Sequence, residues 1–253
     1  MNMCSHVPSP ALWATIAQIA GGGVFIPIYY GVFLIFTTPI AQQTAAKRKI
    51  NLKDACIYLP LLFVFHYGPV AAMLYHPTLE GRHYWSWFWQ LYSVRMTIAY
   101  YAITFLIAYL PLSTTGSGTL FSYRTTIVLM FTPLIAISAA LWIYTILSCP
   151  YPLSQVFWPQ ALVVDTWLGR LRRILQFDFL FLNGTGLLWA FGLLRDAGMQ
   201  GVGGTMKFAL VAGIATLFLG PAAALGTLWV WRELLVDAGE GEKIGPDTKG
   251  KEG

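Results

Sequence analysis

The sequence predicts an all-α fold, an integral membrane bundle of seven transmembrane helices, six strongly marked and one weak at 148–168. Two observations predict it. Hydrophobic residues make up 57% of the 253 and charged residues only 11%, where a water-soluble domain carries about a quarter charged residues. The apolar residues are also gathered into runs of about 18 to 25 positions, long enough to cross a bilayer core as helices.

The first run, 12–36, has no Lys or Arg before it and is too long for a signal-peptide core, so it is expected to stay as an anchor. The second, 55–74, holds His66 between Pro60 and Pro69. The third, 87–110, carries Arg95, and the fourth is 125–147. The fifth, 177–194, opens beside Asp178, and its Asn183-Gly-Thr185 sequon falls inside the apolar run, where a glycan has no place. The sixth is 208–231. The weak run, 148–168, contains Pro150, Pro152, Pro159, Gln155, Gln160 and Asp165. Hydropathy alone reads it as re-entrant or interfacial.

Charge arbitrates. If 148–168 does not cross, basic residues divide almost evenly between the two sides. If it crosses, Lys47, Arg48, Lys49, Lys53, Arg124, Arg170, Arg172, Arg173, Arg232 and the tail lysines share one side, against Arg82, Arg195 and Lys207. The positive-inside bias therefore predicts seven helices, the amino terminus lumenal and the carboxyl terminus cytosolic. Residues 1–237 form one membrane domain. The tail 238–253, rich in Gly, Lys, Glu and Asp without apolar period, is expected to be disordered.

The net charge of +5 lies in short connections and not on one extended face, which argues against a nucleic-acid partner. Three scattered cysteines supply neither a disulfide framework nor a zinc site. Four histidines are too few for the His-rich boxes of a di-iron desaturase, and only His66 lies deep in a run, so a pair of haem ligands is missing. No phosphate-binding Gly-rich loop occurs. The expectation is an enzyme without metal, haem or nucleotide cofactor, and its oligomeric state is not legible.

Ionisable groups at membrane depth are the functional candidates, because lipid makes them expensive to keep. Asp165 and Asp178 flank the basic turn Arg170, Arg172, Arg173 and could face one cavity, one of them holding a proton; the plain alternative is a surface ion-pair cluster. His66 either relays a proton or satisfies a carbonyl freed by the prolines. Arg95 either orients a substrate oxygen or pairs with Glu80. Asp54 reads as a helix start, and Glu233 as an interfacial residue. The aromatic load, which includes Tyr30, Trp89, Tyr101, Trp158 and Trp189, exceeds what two interfacial belts need. Aromatic faces in an apolar cavity can steady a developing carbocation, and these five are the candidate substrate-binding residues.

Phe25-Ile-Pro-Ile-Tyr-Tyr30, Trp89-Gln90, Phe157-Trp-Pro159, and Leu175-Gln-Phe-Asp178 followed by Leu188-Trp-Ala190 carry a resemblance that runs across most of the chain. The chain resembles the small fungal membrane-bound cyclases typified by the ascofuranone-pathway terpene cyclase, whose relatives include epoxide hydrolases of aurovertin-type and citreoviridin-type pathways. The resemblance implies cofactor-free acid opening of an epoxide on a lipophilic meroterpenoid or polyene, in the endoplasmic reticulum, with ring closure or capture of water. It singles out Asp178. No Glu lies in the first two runs, which separates the chain from the indole-diterpene cyclases. The competing class is a non-enzymatic transporter or scaffold for the same metabolites.

Overall fold

The computed structural model describes residues 10–36, 52–109, 123–159, 166–199 and 201–244; side chains are described from 11, from 54 in the second stretch, and up to 237. The described residues are helical with no strand. In order the helices are α1 Pro10–Ala20, α2 Gly22–Phe36, α3 Leu52–Leu62, a π-helical turn Phe63–Tyr67, α4 Gly68–Tyr75, α5 Leu79–Trp89, α6 Tyr92–Tyr109, α7 Tyr123–Ser148, α8 Leu153–Phe157, α9 Trp167–Asp196, α10 Gly201–Leu219 and α11 Pro221–Ile244.

Four stretches are long and apolar enough to cross a membrane: Asp54–Tyr75, Tyr123–Ser148, Trp167–Asp196 and Gly201–Leu219. A fifth arises if α5 and α6, bent by 60°, count as one span. Their outward residues are apolar, with Leu147 80% and Leu188 69% exposed, as lipid-facing side chains are. The expected seven spans are corrected on two points. The weak run 148–168 forms no crossing helix among the described residues; its prolines leave only the five-residue α8.

The first run is not one rod either. Gly21, at φ 108°, breaks it, and α1 packs back on α2 so that the Trp13 and Tyr29 rings lie 5.8 Å apart. A straight helix would separate those residues by about 24 Å. The last run divides in the same way at Gly220, φ 86°, and α10 and α11 pack as a hairpin that places Lys207 Nζ 5.4 Å from the Trp231 ring. Only glycine takes such φ values without strain. α11 continues to Ile244, past the expected start of the tail.

Contacts fix the directions of the later helices. Gly186 meets Tyr30, and Gly192 meets Leu34, so α2 and α9 run parallel. Trp189 stacks on Trp229 while Gly186 meets Leu225, so α11 runs with them. Tyr123 pairs with Glu233 and Trp142 abuts Gly220, so α7 runs opposite. Arg124 therefore lies at one end of the bundle. Arg170, Arg172 and Arg173, on the first turns of α9, lie at the other, not on the shared side that the charge count assumed. Buried small residues let α9, α10 and α11 approach closely: Ala190, Ala212 and Leu228 form the core with Leu194.

Candidate active site

One stripe of α9 organises the site. Asp178, Leu182, Gly186 and Trp189 recur at helical spacing and face α2. At the near end, the backbone N–H of Gly23 donates to Asp178 Oδ1. The carboxylate thus holds the first turn of α2, where unpaired N–H groups and the helix dipole converge on negative charge. A Cβ on Gly23 would come within 2.6 Å of the Asp178 Cα, so glycine permits this approach. At the far end, about 16 Å along the helix, Trp189 stacks between Tyr30 and Trp229, with centroid separations of 4.8 and 5.4 Å.

Trp189 and Trp229 open onto a groove of about 390 Å³ between α7, α9 and α11. Phe131, Leu134, Ile135 and Ser138 line it from α7; Ala222, Leu225 and Gly226 complete it from α11. None of these lining residues is ionisable. The groove suits an apolar molecule steadied by aromatic faces, and any acid must act on it from an end.

One such end carries a charged pair that the sequence places at the membrane interface. Arg232 and Glu233 are buried, 7% and 4% exposed, and form an ion pair. Tyr123 OH donates to Glu233 Oε2 at 2.6 Å, and the Arg232 guanidinium lies 5.2 Å from the Trp229 ring centroid. Glu233 shares a helical face with Ala222, Gly226 and Trp229, one turn past the groove. It was expected at the interface because the apolar run was ended at Trp231. Leu234, Leu235 and Val236, which continue the run past the charged pair, were the available signal.

A second polar cluster surrounds His66. Pro69 lacks an N–H and crowds the carbonyl of Phe65; the chain answers with the π turn, whose Gly68 N–H reaches Phe63 O. Trp89 Nε1 donates to His66 Nδ1 at 3.1 Å, so the neutral ring carries its proton on Nε2, and Tyr92 packs 4.6 Å from the imidazole. His66 thus accepts from an indole instead of bonding a freed carbonyl through Nδ1. Trp89 belongs to this cluster and not to the groove.

Arg95 does not sit deep in a continuous helix. The chain breaks at Leu91, φ 58°, and Arg95 Nη1 turns back to the carbonyls of Phe88 and Gln90 while its guanidinium stacks 4.7 Å from the Phe88 ring. It caps the end of α5. Asp54 accepts from Tyr100 OH at 2.6 Å, a tie between α3 and α6. Tyr101 and Trp158 are 66% and 64% exposed and lie outside the groove lining. Asp165 lies outside the described residues. Of the residues singled out from sequence, the structure brings Trp189 to the groove, with Tyr30 stacked on it outside the lining and Asp178 on the same stripe of α9.

Comparison with known proteins places this geometry. The family model of the CtvD domain matches residues 1–237. The chain is 28% identical over 239 residues to the FAD-dependent monooxygenase verC1 of Penicillium polonicum, covering 92% of this chain and 29% of that protein. It is 27% identical over 234 residues to the FAD-dependent monooxygenase anuJ of Penicillium roqueforti (strain FM164), covering 88% of this chain and 28% of that protein. The chain thus spans less than a third of the length of these relatives, both of which are fungal and named as enzymes. No solved structure matches it.

Proposed function

The chain belongs to the CtvD-domain family, and on that premise we propose that it is an enzyme of fungal secondary metabolism in the endoplasmic reticulum membrane, opening an epoxide on a lipophilic substrate to give a cyclised or hydrated product. The observation that carries the proposal is the apolar, aromatic groove on a family of membrane helices, with a carboxylate on the same stripe of α9 as its Trp189. The relatives' names add support. They are FAD-dependent monooxygenases of which this chain matches less than a third, and the chain has no dinucleotide-binding Gly motif. We assign the flavin step to the unmatched part. Oxygen transfer to an alkene yields an epoxide, so an epoxide-opening unit fits beside such an oxygenase.

The proposed chemistry needs no resident cofactor. Asp178 in its acid form gives its proton to the epoxide oxygen, and the C–O bond breaks toward the carbon better able to bear positive charge. Phe131, Trp189 and Trp229 line the groove beside an extended substrate, with Tyr30 stacked behind Trp189. An internal hydroxyl or water closes on the carbon and gives up its own proton, or an alkene closes on it and the new carbocation loses a proton from an adjacent carbon; either proton returns to the Asp178 carboxylate. His66 Nε2–H is a further donor, in the cluster with Trp89 and Tyr92. Membranes bearing only this chain, incubated with a terpenoid epoxide, test the proposal. Conversion without added flavin supports it; uptake into vesicles without conversion assigns the chain to transport.

A further inference from the structure

We propose that Arg232 is a binding residue for an acceptor oxygen, a carbonyl or hydroxyl, on the ligand in the groove, at the end away from Asp178. The proposal rests on the reading that the groove takes a lipophilic substrate, and adds where its polar group docks. The Arg232 guanidinium lies over the ring of Trp229, which lines the groove. Its side chain is 9% exposed, its Nη1 is bonded to Glu233, and its Nε is buried with no hydrogen-bond partner. A guanidinium carries five donors, and enclosure with one unmet is costly unless something else supplies the acceptor.

The surroundings define that acceptor. Glu233 balances the Arg232 charge, and the Tyr123 hydroxyl holds the second oxygen of Glu233 at 2.6 Å. The site is therefore neutral as a whole, which suits an uncharged oxygen better than a phosphate or carboxylate. The bond to Glu233 and the contact with the Trp229 ring hold the guanidinium beside the groove. Asp178 lies about 16 Å from Trp189 along α9. An extended apolar molecule would carry its acceptor oxygen at Arg232 and its reactive group toward Asp178.

Binding of two probes tests this: farnesylacetone, a terpenoid ketone, and the hydrocarbon in which a methylene replaces its carbonyl. Each is titrated into the purified chain in nanodiscs and counted by native mass spectrometry. The wild-type chain is expected to bind the ketone about tenfold more tightly, the worth of a hydrogen bond from a charged donor. Arg232→Lys, which keeps the charge opposite Glu233 but not the fork, is expected to lose that preference while still binding the hydrocarbon. Equal affinities in the wild type overturn the proposal, and that comparison needs no variant to fold. An unchanged preference in Arg232→Lys overturns it too. Neither probe contains an epoxide, so absence of epoxide turnover leaves this result readable.

Discussion

Asp178 accepts the backbone N–H of Gly23, so the acid of α9 is also the group that anchors the first turn of α2. One residue thus joins the hairpin α1–α2 to the helix that carries Trp189. Gly23→Ala sets a methyl group within 2.8 Å of Asp178 Oδ1. It is expected to cost about 1–3 kcal/mol of stability, the usual penalty of overpacking. A lowered melting temperature in detergent is the readout; an unchanged one means the turn is not tied as described.

Groove occupancy is addressed by Ala222→Trp. Ala222 is exposed and lines the groove, so the larger ring enters open space instead of the core. The expected result is a KM raised about tenfold, roughly 1.4 kcal/mol of lost contact, with melting temperature unchanged. If KM and kcat both stay at wild-type values, the substrate binds elsewhere.

Arg95→Ala distinguishes cap from substrate ligand. Removing the guanidinium leaves the carbonyls of Phe88 and Gln90 without it at the break between α5 and α6. Stability is expected to fall by about 1–3 kcal/mol, with KM for the epoxide unmoved. A raised KM at normal stability would return Arg95 to the substrate.

The helix directions give a topology to check. Arg124, Arg195, Lys207 and Arg232 lie toward one end of the bundle; Arg170, Arg172 and Arg173 lie toward the other. With Lys243, Lys249 and Lys251 following Arg232 in the sequence, the positive-inside bias predicts that the first end faces the cytosol. Glycosylation acceptor tags inserted at Gly220 are expected to be modified, and tags at the carboxyl terminus to remain bare. The reverse pattern inverts the bundle.

Much of this was legible in the sequence, and the failures have physical causes. Composition and run length were enough to predict helices in a membrane, and the runs around 55–74 and 125–147 match Asp54–Tyr75 and Tyr123–Ser148. Hydropathy does not register a single glycine, so the turns at Gly21 and Gly220 were read through, and two hairpins were counted as two rods. The count of seven then drew on 148–168, and with it the side assigned to Arg170, Arg172 and Arg173. Tyr30 and Trp189 were picked out by aromatic load, and they do stack. Arg95 misled because its depth was measured along a helix that breaks at Leu91. Arg232 and Glu233 were missed for a related reason: adjacent charges at the edge of an apolar run resemble an interface until a hairpin buries them.

The most direct test of the central claim is epoxide conversion by membranes carrying this chain alone, wild type against Asp178→Asn, without flavin or reductant. Asparagine keeps an acceptor for Gly23 N–H, so matched protein levels and melting temperatures are expected. The account predicts conversion by the wild type and none above background by Asp178→Asn. Full activity in that variant would contradict it.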